Sequence, residues 1–124
     1  MEHLIKKCEE EFSLQSYPLV RSNEMEHVRS KAAFFSALSI VGGLSDRFIA
    51  KVVNYDRTTV LHHRRKHEDN MKYLAGYDLA FKTACAIVRR VLLAPYVKNE
   101  VSRIDAQIRQ LKQVKQSLIN KLES

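Results

Sequence analysis

The stretch Asp56-Arg57-Thr58-Thr59-Val60-Leu61-His62 decides how this chain is read. Aspartate is a residue type whose side-chain oxygen can accept from the free backbone N–H groups at a helix start, so Asp56 is placed as an N-cap. Arg57, Thr58 and Thr59 then fall in the first turn, while Val60 and Leu61 supply an apolar side toward a core. A helix that enters the major groove of DNA presents its first-turn side chains to base edges. There a guanidinium can pair with guanine, and threonine can offer its methyl or its hydroxyl. Arg64, Arg65 and Lys66 come too late in the helix to read bases and suit phosphate contacts. An ordinary surface helix with a capped start and a charged end fits the same residues, so the heptapeptide needs its neighbours.

Upstream, Ser45, counted also among the candidate DNA contacts, caps a short predicted helix whose apolar side is Ile49, Val52 and Val53, with Phe48 adjacent. Asn54-Tyr55 breaks it, and asparagine is among the few residues other than glycine that enter left-handed backbone conformations readily. Helix, tight turn and second helix make a helix-turn-helix unit. Further upstream, Asn23 with Glu26 three places on has capping-box spacing. Val28, Ala32, Phe35 and Leu38 then line one helical face, and Gly42-Gly43 ends it. Residues 2–13 form a short helical pattern through Leu4, Ile5, Cys8 and Phe12, and the stretch around Tyr17-Pro18 reads as a connector.

Downstream, Met71, Leu74, Phe81, Cys85, Val88 and Leu92 predict one long amphipathic helix covering the helix-turn-helix core, interrupted at Pro95. Beyond it Val97, Val101, Ile104, Ile108, Leu111, Lys115, Leu118 and Leu122 alternate spacings of four and three, with Lys115 the one polar member. Such a heptad seam makes a rod of roughly 39 Å and predicts association, a dimer first. In a parallel pair Glu100 would face Asp105 of the other copy, a like-charge contact. Val114 and Ile119 widen the seam, which also suits an antiparallel pair, a larger bundle, or folding back onto the preceding helix. The predicted fold is therefore all-α: a helix-turn-helix core packed on a long helix, followed by a coiled-coil-like C-terminal helix. Its regions are 1–22 (helix and connector), 23–94 (helix-turn-helix domain) and 96–123 (association helix).

Composition agrees. Glycine and proline number three and two in 124 residues, which favours helix. The net charge of +7 is uneven. Residues 1–27 carry three basic and six acidic side chains, residues 28–72 nine and four, and residues 73–124 again nine and four. A basic centre and C-terminal half suit a polyanion, nucleic acid being the commonest, although lysine-rich solvated faces are basic too. Cys8 and Cys85 match no metal or redox spacing and read as reduced core thiols. No apolar run reaches membrane-spanning length, and a cytoplasmic location, at the nucleoid if DNA is bound, is expected. His63 and His67 are four apart, but no carboxylate or cysteine completes a zinc set. Exposed or DNA-facing roles are predicted for His62, His63 and His67. No nucleophile–base pairing or phosphate loop points to catalysis, to a cofactor or to a small-molecule substrate.

The segment from about residue 23 to 68 resembles the C-terminal DNA-binding domain of DnaA, the bacterial chromosomal replication initiator. The signature of that Trp-repressor-like helix-turn-helix runs Asp-His-(Ser/Thr)-Thr-Val-(Leu/Ile)-His, against Asp56 to His62 here. Ser45, Ile49, Ala50 at a usual glycine position, Val52-Val53 and Arg65-Lys66 extend the match. The resemblance implies that Asp56, Thr58 and Thr59 contact bases or phosphates. It further implies that Arg29 enters the adjacent minor groove from a basic loop, with Lys31 as a nearby basic residue. Two departures stand out. Arg57 replaces the signature histidine, so the family's binding site does not carry over, and Asn54-Tyr55 replaces Gly-Arg in the turn. The initiator's Gly-x-x-x-x-Gly-Lys-(Ser/Thr) loop is absent, so the chain looks like a DNA-reading module without its motor, a form that suits a phage or mobile element. Double-stranded DNA is the expected partner, in transcription regulation or as a replication or origin-binding factor. A protein-interaction module working through the C-terminal helix is the second reading.

Overall fold

The computed structural model describes residues 1–123, and all regular elements among them are helical. In order these are α1 (Glu2–Leu14), α2 (Met25–Ile40), α3 (Asp46–Val53), α4 (Arg57–Arg65), α5 (His67–Tyr73) and α6 (Tyr77–Val88). A π-helical turn, Arg89–Leu93, and the 30-residue α7 (Ala94–Glu123) follow. The chain divides into a compact unit, Met1–Leu93, and a second unit that begins at Ala94.

The centre of the first unit is α2. Its residues from Ser30 to Leu38 are buried without a break, so the single face expected from the spacing of Val28, Ala32, Phe35 and Leu38 is too narrow. A helix buried on all sides needs neighbours on all sides, and α2 packs against α3, α4, α5 and α6. Ala32, Ala33, Ser36 and Ala37, with Ala80 and Ala84 of α6, keep the packed helices close. The N-terminal helix belongs to this core and is not a separate region. Ile5, Cys8 and Phe12 of α1 are fully buried, and Phe12 stacks on Phe34 at 5.5 Å and on Tyr17 at 4.8 Å. An ion pair from Glu11 to Arg90 and one from Glu2 to Lys51 fasten the outer edge of α1. Cys8 and Cys85 are buried free thiols, and burial pushes both upward, Cys8 to about 11.

Three boundaries differ from the sequence reading. The capping role expected of Asn23 is not filled: α2 starts at Met25 after Glu24, which makes no side-chain cap. The Ser22 hydroxyl accepts from the Glu24 N–H (3.1 Å), and the Ser22 carbonyl accepts from Lys31 Nζ, which fixes the chain before Asn23 can serve. The predicted long helix from Met71 to Leu92 is broken at Leu74–Gly76, and Met71 is exposed. Gly76 sits at φ +78, a left-handed backbone that favours glycine, and a Cβ there would meet the movable end of the Arg29 side chain at 2.9 Å. Pro95 does not interrupt the helical backbone but lies in the first turn of α7. Proline has no N–H for the carbonyl four residues earlier, and the wider π turn just before it accommodates that missing bond. The end of α2 agrees with that reading: the last helical residue is Ile40, and Gly42-Gly43 follow shortly after it. There the Leu44 N–H reaches back to the Leu38 carbonyl (3.2 Å) across Gly43 at φ +67, the six-to-one closure of a glycine-ended helix.

In the second unit, α7 carries the predicted seam on one continuous helix, and none of its residues is buried. No helix among the described residues is long and apolar enough to cross a membrane.

Candidate nucleic-acid interface

The helix-turn-helix is built by local chemistry. The Ser45 hydroxyl oxygen accepts from the Phe48 N–H at 3.2 Å, which starts α3 and occupies the acceptor expected to meet DNA. Asn54 adopts the left-handed conformation (φ 60, ψ 47) and ends it. Asp56 holds the extended backbone of an N-cap before α4, but its carboxylate accepts no backbone N–H. The first turn of α4 and the Asp56 side chain therefore both remain open to solvent.

Two faces of α4 can be told apart residue by residue. Inward, Val60 is fully buried and His63 is only 8% exposed, its ring 5.9 Å from that of Phe35. Burial, then the nearby charges of Lys31, His62 and Lys66, push the His63 imidazole down to about 4. Arg64 donates to both oxygens of Asp46, from Nε at 2.5 Å and from a terminal nitrogen at 2.8 Å. That two-point bond locks the start of α3 to the end of α4 and holds the Asp46 carboxyl below its ordinary range. His63 and Arg64 are thus structural, against the expectation that they face DNA. A histidine beside a phenylalanine ring is enclosed by the helix period, and Arg64 meets a carboxylate one helix away.

Outward, Asp56, Arg57, Thr58, His62, Arg65 and Lys66 are exposed and Thr59 is half-buried. Thr58, His62 and Arg65 recur at intervals of four and three and so share one stripe, with Lys66 beside it. Among the described residues, Arg57, Arg65 and Lys66 make no ion pair. Thr58, Thr59, His62 and Lys66 also line a shallow groove shared with Asn23, Val28 and Asn70.

Arg29 and Lys31 are not on a basic loop. Because α2 has already begun at Met25, both are helical and are spent within the fold. Arg29 donates to the Ala75 carbonyl (3.2 Å), and Lys31, only 5% exposed, donates to the Ser22 carbonyl (2.9 Å). Burial first, then Arg21, pushes the Lys31 ammonium downward. Arg21, which no motif singled out, clamps the turn. Its guanidinium donates to the Asn54 carbonyl and lies 4.4 Å over the Tyr55 ring, which in turn packs edge-on against Phe35 at 5.6 Å. Nothing in the spacing of a connector arginine points to this.

The histidines do not converge on one site. His67 Nδ1 and the Tyr77 hydroxyl form a 2.6 Å hydrogen bond inside the core, with Ser36 Oγ 3.3 Å from the same hydroxyl. Burial pushes Tyr77 up to about 12 and lowers His67. His67 is therefore half-buried and internal, not DNA-facing. The donor atoms of Glu24, Glu26 and His27 lie within 4.8 Å of one another at the start of α2, and the two carboxylates there are exposed. Acidic side chains at that position are also favoured by the helix dipole alone.

No family model matches the chain, and no curated protein or solved structure matches it.

Proposed function

We propose that this protein binds double-stranded DNA through α3 and α4, with α4 in the major groove, and acts in transcription regulation or as a replication or origin-binding factor. One observation carries the reading: the outward face of α4 offers three cations that make no ion pair among the described residues, two threonines and a histidine, while its inward face is fixed by Val60, His63 and the Arg64–Asp46 pair. A rigid helix with an unpaired basic stripe suits a polyanion. The resemblance of residues 23–68 to the DnaA C-terminal domain supports the same assignment. Arg57, Thr58 and Thr59 face base edges; Arg65 and Lys66 take phosphates. Arg29, Lys31, His63 and Arg64 are not contacts in this reading, and Arg57 gives the protein its own site preference.

The α7 seam brings copies of the chain together, a dimer being the simplest assembly. Val101, Ile104, Ile108, Leu111, Leu118 and Leu122 are all exposed along one helix, an apolar stripe that association would bury.

The test is binding to duplex DNA from a random library at low and moderate salt. Affinity should fall steeply with salt, as counterion release requires. Arg65→Ala with Lys66→Ala should flatten the logarithmic salt slope by about two and weaken all sequences alike. Arg57→Ala should relax the selected sequence. Absence of binding at low salt, or binding indifferent to all three substitutions, rejects the reading. Sedimentation should give a dimer, and Ile108→Glu a monomer.

A further inference from the structure

We propose that α7 pairs antiparallel with α7 of a second copy of this chain, in the register that sets Ile108 against Leu111 of that copy. This rests on the association reading above and specifies its geometry. The argument is charge complementarity along a seam whose side chains are all exposed on one unbroken helix.

In a parallel pair, equivalent residues meet. Lys115 would then oppose Lys115 inside the apolar seam, and Glu100 would oppose Asp105, twice by symmetry. The one gain is an apolar flank between Val114 and Ile119. In the antiparallel register, every seam residue meets a different one: Val97 meets Leu122, Val101 meets Leu118, Ile104 meets Lys115, and Ile108 meets Leu111. The two ammonium groups of Lys115 separate, each beside an isoleucine along which its methylene stem can lie. The flanking positions that meet across an antiparallel pair bring Glu100 to Lys121 and Asp105 to Lys112. The two like-charge contacts thereby become four opposite-charge ones. Ile119 falls beside Lys98, whose stem can cover it. Like charges across a seam are disfavoured and opposite ones specify orientation, so the same residues that resist the parallel pair select the antiparallel one. The Val97 residues of the two copies would lie at opposite ends of the rod, roughly 38 Å apart.

The full chain is tested by sedimentation equilibrium with charge-swap variants at exposed positions. Asp105→Lys alone and Lys112→Glu alone should each weaken dimerisation about 3- to 10-fold, and the double variant should return it to within about twofold of wild type. Disulfide trapping gives an independent readout. A mixture of Ile108→Cys and Leu111→Cys chains should cross-link between the two kinds, and neither should cross-link to itself. Cys8 and Cys85 are buried and do not compete. A wild-type monomer at all concentrations overturns the association reading itself. A dimer that the double variant fails to restore, or in which Ile108→Cys traps itself, overturns the antiparallel pairing and leaves association standing.

Discussion

The two faces of α4 are made from nearly the same residue types, yet they do opposite work. His63 and Arg64 face the fold; His62 and Arg65 face solvent. His63 is enclosed by Phe35 and held neutral well below neutral pH, and Arg64 is tied to Asp46 at two points. Of their sequence neighbours, Arg65 makes no ion pair among the described residues, and the exposed His62 ring lies edge-on to that of His63 at 5.7 Å. The lesson is that a run such as His62-His63-Arg64-Arg65-Lys66 cannot be assigned as a block. With 3.6 residues per turn, adjacent side chains point about 100° apart, and a core on one side makes structural residues at intervals of three and four, as Val60, His63 and Arg64 show.

That contrast can be broken from the inside first. Phe35→Ala removes the ring against which His63 and Tyr55 pack and should cost about 3–5 kcal/mol of stability by urea unfolding. An effect below 1 kcal/mol would mean the inward face is not packed as described.

Acid should act next. The folded pKa of His63, about 4, lies below its unfolded value near 6.5. Between those values the unfolded chain binds the extra proton, so stability rises with pH across that window and is lost on acidification. His63 alone accounts for roughly 3 kcal/mol between pH 6.5 and 4, and His67, also lowered by burial, works in the same direction. His63→Phe should flatten the profile, and an unchanged profile would contradict the burial of that ring.

Arg64→Ala should have a smaller effect, about 1 kcal/mol, since its side chain is a third exposed and water screens much of the pair. The Asp46 carboxyl should return toward its ordinary range, which carboxylate NMR titration would read directly. Arg57→Ala and Arg65→Ala should be the mildest, within about 0.5 kcal/mol of wild-type stability, while reducing DNA affinity. If either destabilises more than Arg64→Ala, the two faces have been assigned the wrong way round.

The legible and illegible parts of this chain divide along physical lines. Ser45, Asn54 and the start of α4 were readable because capping and left-handed turns depend on residues within a few positions of each other, whereas the end of α4 at Arg65 and the separate α5 were not. The seam of α7 was readable because a heptad is a property of one helix. The fate of Arg29, Lys31 and Arg64 was not readable. Each binds a group 46, 9 or 18 positions away, and a basic side chain looks the same whether it reaches a carbonyl, a carboxylate or a phosphate. The break at Gly76 went unseen because apolar spacing on both sides of it continues one helical pattern. Its necessity comes from the left-handed backbone at φ +78, which apolar spacing does not reveal.

By itself, then, the sequence determined that the chain is helical, where its short helix-turn-helix begins and turns, and that its last helix carries an apolar stripe. These are consequences of local capping and of periodicity. Only the tertiary structure decided which cations remain free, because pairing and burial depend on what the fold brings alongside. It drew α1 into the core, wrapped α2 on all sides, and left Arg57, Arg65 and Lys66 on an exposed face without ion pairs among the described residues.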